Sequence, residues 1–299
     1  MSDFTFRQPA PGDLEVAAAV MAAEERAVLG DTTWGVDEMR DWWAWVDLEQ
    51  SWIVESDDEP AAIGLLMPRE SGRIITWVAV DPRFTGRGLA SELIARSERN
   101  ARSLGGTKLS VGRLAKNTAA LDLFERLGFE EVRRYYQMRI DFTGPPEEPE
   151  WPDGVVVTTF RREDARDFKA AIDEAFAEEW GHVAMPFDEW VEHRVDNPHM
   201  DHSLWWLARS GEEVAGVLRG EAPRHGGGFV GMLGVRNAWR KRGIGLALLQ
   251  HAFREFHRRG YRHASLGVDS ENPTGATRLY ERAGMRVVKE DVVHEKELT

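Results

Sequence analysis

The chain repeats itself. Laying TWVAVDPRFTGRGLASELI over GMLGVRNAWRKRGIGLALL puts Val80 on Val235, Phe84 on Trp239, Gly88 on Gly243 and Ala90 on Gly245, an offset of 155 throughout. A second block, NTAALDLFERLGF from Asn117, matches NPTGATRLYERAGM from Asn272, with one extra residue before the final glycine. Two separate blocks at nearly one offset mean a duplicated unit, so both halves share one architecture. The length of 299 residues agrees, at roughly 100 to 200 residues per domain.

Between the copies lies FTGPPEEPEWPDG, Phe142 to Gly154, whose prolines, glycines and acids read as linker. The expected division is therefore a first domain over 1–143, a linker over 144–153 and a second domain over 154–299. In the second half, Val155 to Thr159 reads as a strand, Glu163 to Trp180 and Phe187 to Val195 as helices, and SLWWLAR, EEVAGVLRG and FVGMLGV as consecutive strands. Ile244 to Arg258 follows as an amphipathic helix, then HASLGV as a strand, Thr274 to Arg282 as a helix and MRVVKEDVVHE as the last strand. The first half runs in the same order: SWIVES, AAIGLLM, RIITWVAV, a helix to Leu104, TKLSVG, a helix ending at Gly128, and FEEVRRYYQMRI. Each half is thus expected to be a mixed α/β unit, a mostly antiparallel sheet with helices on its faces.

The formal net charge is −13, with 51 acidic against 38 basic residues, which argues against a phosphate-neutralising surface for nucleic acid. No apolar run reaches the ~18 residues of a membrane span, and MSDFTFRQPAPGD lacks the basic start and apolar stretch of a secretion signal, so the expectation is a cytoplasmic protein. With no cysteine, thiolate metal sites and a cysteine nucleophile are excluded. DNPHMDH, with His199 and His202, has no helical HxxxH, and no metal site is expected.

Against this acidic background, VRNAWRKRGIGLALL sets Arg240, Lys241 and Arg242 directly before Gly243 and Gly245. A strand ending at Val235, a short loop and a helix from about Gly243 bring unpaired backbone N–H groups together at a helix N-terminus, where anions bind. Glycine lets the main chain approach the oxygens, and the cations add attraction. A dinucleotide fingerprint would need a third glycine where Leu248 stands, and a phosphate loop of the nucleotide-hydrolase type would need Gly-Lys-Ser/Thr. Neither fits.

From Arg240 the spacing is Arg-x-x-Gly-x-Gly, and together with VDSENPTGATRLYERAGM it resembles the GCN5-related N-acetyltransferases, over nearly the whole chain and in both halves. The resemblance implies two tandem domains of that fold, each with fourth and fifth strands that splay around the pantetheine of coenzyme A. It implies acetyl-coenzyme A as the acyl donor and a small-molecule primary amine as acceptor. It assigns coenzyme A contacts to the main chain at Leu233, Gly234 and Val235, to Arg240, Lys241, Arg242, Gly243, Ile244, Gly245 and Leu246 in the loop, and to Asn272. In the first copy the matching positions are Val78 and Val80, then Thr85, Gly86, Arg87, Gly88, Leu89 and Ala90. Thr85 replaces the basic lead residue, and the first copy is read as a weaker or non-catalytic coenzyme A site that also walls the acceptor cleft. Tandem chains of this length also resemble the mycothiol synthase branch, which acetylates the cysteinyl amine of an inositol glycoside.

The copies differ where chemistry is expected. Four residues before the terminal glycine stand Tyr280 in the second copy and Phe124 in the first. In the family that tyrosine protonates the departing thiolate, and a phenol near pKa ~10 lies only about 2 kcal/mol from a thiol near ~8.5. The amine also needs a base, since freeing a lone pair from an ammonium of pKa ~10.4 costs about 4.6 kcal/mol at neutral pH. Where the family often has a fourth-strand Glu, this chain has Phe229, and Ile74 in the first copy. Glu221, Glu179 or its neighbour Glu178, and His182 are the remaining candidates. In WGVDEMRDWWAWVD, Met39, Trp42 and Trp45 share a helical face that suits the core, leaving Trp34 and Trp43 for stacking on a substrate or partner. The alternatives to an amine acetyltransferase are a coenzyme A sensor or scaffold that has lost catalysis, and a transferase that uses aminoacyl-tRNA.

Overall fold

The computed structural model describes residues 4–69, 72–180, 184–272 and 274–298. The chain divides into two compact units, Met1–Tyr135 with Glu290–Thr299, and Tyr136–Lys289. His182 lies outside the described residues.

The first unit contains β1 (Phe4–Arg7), α1 (Leu14–Leu29), α2 (Val36–Trp43), β2 (Asp47–Ser56), β3 (Glu59–Pro68), β4 (Arg73–Val80), α3 (Leu89–Ser103), β5 (Lys108–Leu114) and α4 (Thr118–Arg126). Its strands lie in the order β1-β2-β3-β4-β5, antiparallel except for the β4·β5 pair. β3 is an unbroken buried run from Ala61 to Met67 because helices cover both faces of the sheet. Its side chains alternate between two cores. Ile63 and Leu65 join Ala17, Val20 and Met21 of α1, while Ala62 and Leu66 join Leu89, Leu93 and Ile94 of α3.

The second unit contains β7 (Val155–Thr159), α5 (Ala165–Phe176), α6 (Phe187–Trp190), β8 (Trp205–Ser210), β9 (Glu213–Arg224), β10 (Gly227–Val235), α7 (Ile244–Arg258), β11 (His263–Asp269) and α8 (Ala276–Arg282). The order β7-β8-β9-β10-β11 repeats that of the first unit, again with one parallel pair, β10·β11. The helix expected over Glu163 to Trp180 stops at Phe176, and the one expected over Phe187 to Val195 becomes a four-residue α-helix and a π-helical turn.

The compact units are cut at a different place from the proline-rich linker. Strand β12 (Arg286–Glu297) ends against β5, with Asp291↔Leu114 through Glu297↔Lys108, so the last residues of the chain complete the first sheet. Conversely β6 (Glu130–Asp141) lies beside β11 in the second unit: Met138 is fully buried there, and the Phe142 amide donates to the Arg262 carbonyl at 2.8 Å. The closing strand of each sheet is therefore supplied from the other half of the sequence.

Helix α7 packs on the second sheet through Ile244, Leu248, Leu249, Ala252, Phe253 and Phe256, an apolar stripe at helical spacing. Gly228 of β10 makes this possible, because a Cβ there would stand 2.3 Å from the Phe256 ring. Gly228→Ala is expected to lower stability by about 3 kcal/mol, read as the midpoint shift on urea unfolding; an unchanged midpoint would refute this packing.

The tryptophans of α2 settle differently from the expected face. Trp34 and Trp43 pack against the core of the first unit, and Trp34 and Trp42 both contact Trp77, at ring distances of 5.1 and 4.7 Å. Trp45 lies under the Arg69 guanidinium. Trp34 and Trp43 are thus engaged in packing rather than left over.

Candidate active site

Each unit opens a fork between its two parallel strands. β10 and β11 pair only at Gly228↔Ala264 and Phe229↔Ser265, so β10 from Val230 to Val235 continues without a ladder partner on that side. Leu233, Gly234 and Val235, expected to offer main-chain groups, stand at this free end. In the first unit β4 and β5 pair from Arg73↔Lys108 to Thr76↔Val111 and then part, which puts Val78 and Val80 in the matching place.

The loop after β10 has the backbone that an anion cradle needs. Gly243 caps α7 in the left-handed region, at φ 90°, with open space where a Cβ would be. Lys241 is also left-handed, at φ 62°. Lys241, Arg242 and Gly243 are exposed, and the first amides of α7, among them Ile244, Gly245 and Leu246, have no acceptor within the helix. Gly245 serves a different purpose: a Cβ there would come to 3.0 Å from Leu279, so this glycine lets α7 lie close to α8.

Arg240 is a brace. Its Nε donates to the Val235 carbonyl at 3.2 Å and its Nη2 to the Ala175 carbonyl at 3.3 Å, tying the loop to the strand end and to α5. The cations left facing outward are Lys241 and Arg242, the latter over the Trp239 ring at 4.8 Å. The first unit repeats the backbone path. Gly86 at φ 74° stands for Lys241, Gly88 at φ 82° caps α3, and the Thr85 hydroxyl donates to the Pro82 carbonyl at 3.0 Å.

Beyond the fork of the second unit, four polar residues gather. Glu179 sits in the turn after α5, its Oε1 accepting from Asn272 Nδ2 at 2.9 Å. The Asn272 Oδ1 also accepts from the Thr274 amide at 2.9 Å, and the Asn272 amide donates to the Asp269 carbonyl at 3.1 Å. Burial raises the Glu179 carboxyl above its ordinary range, and the nearby Asp269 charge raises it further, against the Asn272 hydrogen bond. Tyr280 of α8 is buried; loss of solvent raises its phenol well above the usual value, and the Glu179 charge adds to the shift. The phenol therefore keeps its proton throughout the neutral range. Glu178 points to solvent.

Glu221 lies directly across from Phe229 on β9. Burial alone would raise its carboxyl, but Arg219 at 3.1 Å and Arg224 at 2.5 Å, with a further contribution from Arg194, hold it below the ordinary range. A carboxylate so held is a weak base. Of the three acids named as candidates, the environment favours Glu179. Sequence alone could not separate them: Asp269 and Arg194 come from distant segments, and that Arg219 and Arg224, neighbours of Glu221 on β9, turn their guanidinium groups onto it is decided by the fold.

The first unit holds a related constellation with two partners changed. Glu24 accepts from Asn117 Nδ2 at 3.0 Å, as Glu179 does from Asn272, and Phe124 fills the tyrosine's place, fully packed. In place of an acid, however, the buried Arg113 guanidinium lies 3.4 Å from Glu24.

Comparison with known proteins agrees with this duplication. A family model described as the acetyltransferase (GNAT) family matches twice, over residues 19–129 and 165–285. The mycothiol acetyltransferase of Streptomyces scabiei is 32% identical over 217 residues, covering 71% of this chain and 67% of its own. That of Thermobispora bispora is 29% identical over 255 residues, 82% of each chain. Among solved structures, a GCN5-related N-acetyltransferase from Sphaerobacter thermophilus superposes with a TM-score of 0.86 at 35% identity, covering 99% of this chain and 96% of its own. A tandem GNAT protein from the clavulanic acid biosynthesis pathway shares the fold, with a TM-score of 0.78 at 16% identity over 99% of both chains.

Proposed function

The chain belongs to the acetyltransferase (GNAT) family and is an N-acetyltransferase, and on that premise we propose that it passes the acetyl group of acetyl-coenzyme A to the primary amine of a small molecule, by direct attack, in the C-terminal unit. The observation that carries this reading is the meeting of Glu179, Asn272 and Tyr280 beyond the fork, in the unit whose loop offers Lys241, Arg242 and a left-handed Gly243.

In this reading the amides at the start of α7 and the two outward cations hold the diphosphate, and the free edge of β10 guides the pantetheine. Glu179, fixed by Asn272, removes a proton from the acceptor ammonium; its raised affinity for protons brings it closer to that task than an ordinary carboxylate. The amine then attacks the thioester carbonyl, forming the C–N bond. As the C–S bond breaks, the Tyr280 hydroxyl donates to the developing thiolate, and the second proton on the attacking nitrogen passes to the Tyr280 oxygen, leaving the neutral amide and the free thiol while Glu179 gives its proton to solvent. Burial raises the phenol, but it raises the proton affinity of a thiolate in the same buried place too, so the gap between the two stays small enough for a short hydrogen bond to close.

The C-terminal assignment rests on the contrast between the copies, since Phe124 has no proton to give. A cysteinyl amine on an inositol glycoside, the acceptor that the likeness to mycothiol synthases brings in, is the first to test. Thiol release from acetyl-coenzyme A, followed against a panel of small amines, is expected to show acceptor-dependent turnover. Release that no amine accelerates would overturn the reading.

A further inference from the structure

We propose that the acceptor is bound as its ammonium between the Glu179 and Asp269 carboxylates, so that the site takes strongly basic alkyl amines and Asp269 is the residue that recognises their charge. This rests on the acetyl-transfer reading above and narrows its small-molecule amine to one class.

Two distant segments bring the carboxylates together. Asp269 is the last residue of β11, four past Ser265, where β11 last pairs with β10. Its carbonyl accepts from the Asn272 amide at 3.1 Å and its Oδ1 from the Glu271 amide at 2.9 Å, while Asn272 Nδ2 donates to Glu179 at 2.9 Å. One asparagine thus ties both acids to the same turn, and the Asp269 charge acts on Glu179. Like charges held together away from water are costly, and a cation placed between them removes that cost. Tyr280 points the same way: it is 8% exposed, its hydroxyl has no hydrogen-bond partner among the described residues, and it feels the Glu179 charge.

An open strand face leads to the pair. A Cβ at Gly228 would strike Phe256 of α7, so the next residue, Phe229, and its partner Ser265 belong to the opposite face of the sheet, where Gly234 lies against Ala175 of α5. By alternation Gly267 and Asp269 share that face. Gly267 is exposed in mid-strand, between buried Leu266 and Val268, with open space where a Cβ would be. An alkyl chain laid there places its ammonium at Asp269.

The first copy lacks this arrangement. At the offset of 155, Leu114 stands where Asp269 does, and Arg113 lies 3.4 Å from Glu24, so the place is already neutralised and takes no ammonium. In the C-terminal unit the second acid also has a task after binding. Once Glu179 has taken a proton it is neutral, and the nitrogen turns positive again as the C–N bond forms. The Asp269 carboxylate balances that charge until the second proton passes to the Tyr280 oxygen.

Hydrogen exchange on the full chain with saturating coenzyme A, read peptide by peptide, tests this with n-butylammonium chloride and n-butanol, which are equal in length and differ in charge at neutral pH. The ammonium is expected to slow exchange over Gly267 to Asn272 at a concentration at least about tenfold lower than the alcohol. Asp269→Asn keeps an oxygen for the Glu271 amide, so a purely structural Asp269 would be replaced without effect; here the variant is expected to lose the preference for the ammonium. Asp269→Glu, which keeps the charge, is expected to retain it, and protection by coenzyme A at Ile244 to Leu246 is expected to be unchanged in both. Equal response to the two probes in the wild type, no protection by either, or a preference that survives Asp269→Asn overturns the inference. The peptides at Ile244 to Leu246 report separately on the coenzyme A reading, so the two fail independently.

Discussion

Tyr280→Phe is expected to lower turnover of acetyl-coenzyme A by about 10²- to 10⁴-fold while leaving the affinity for the donor unchanged. Only the hydroxyl is removed, and the same ring already fits the equivalent place in the first copy, where Phe124 is 2% exposed. The loss therefore belongs to the leaving thiolate rather than to packing. Steady-state kinetics with saturating amine, beside a melting curve, separate the two: a slowed enzyme with wild-type stability is the expected pair. Turnover within twofold of wild type would remove Tyr280 from the chemistry.

Glu179→Gln is expected to cost about 10²-fold or more in kcat and to remove the acidic limb of the kcat profile against pH. In the wild type that limb lies above the ordinary carboxyl range, because burial and the Asp269 charge raise Glu179. The same shift sets the sign of an effect on stability. A carboxyl whose folded value exceeds its unfolded one costs nothing when both states are protonated, and destabilises the native state as pH rises through the folded value. Glu179→Gln is thus expected to melt higher than wild type near neutrality, and the two curves to converge at about pH 4. A variant that keeps its rate, or melts lower at neutral pH, would place the base elsewhere.

The duplication, the strand order and both loops were legible in the sequence because they depend on local pattern: a continuous buried run along β9 from Val214 to Gly220, an apolar stripe along Ile244 to Arg258, and glycines where the backbone turns left-handed. What was not legible depends on contacts between distant segments. The pairing of Glu297 with Lys108 closes the first sheet with residues that read as the end of the second half. Arg240 carries the spacing of the loop motif, yet its guanidinium is turned inward by carbonyls at Val235 and Ala175. Glu221 and Glu179 look alike as letters, and only arginines on one and an aspartate beside the other give them opposite proton affinities. Arg113 carried no signal, because its meaning comes from Glu24, far off in sequence. The offset that aligns Glu24 with Glu179 and Asn117 with Asn272 was the one clue that could have paired these residues in advance.

Calorimetric titration of acetyl-coenzyme A into the wild-type chain and into Lys241→Glu/Arg242→Glu addresses the central claim most directly, since both side chains are exposed and their reversal leaves the core intact. The wild type is expected to bind saturably, with a Kd of about 1 to 100 μM, and the reversed loop to bind at least about tenfold more weakly at the catalytic site. A wild-type chain that takes up no acetyl-coenzyme A at millimolar concentration, or a reversed loop that binds as well as the native one, would contradict a diphosphate cradle at the head of α7.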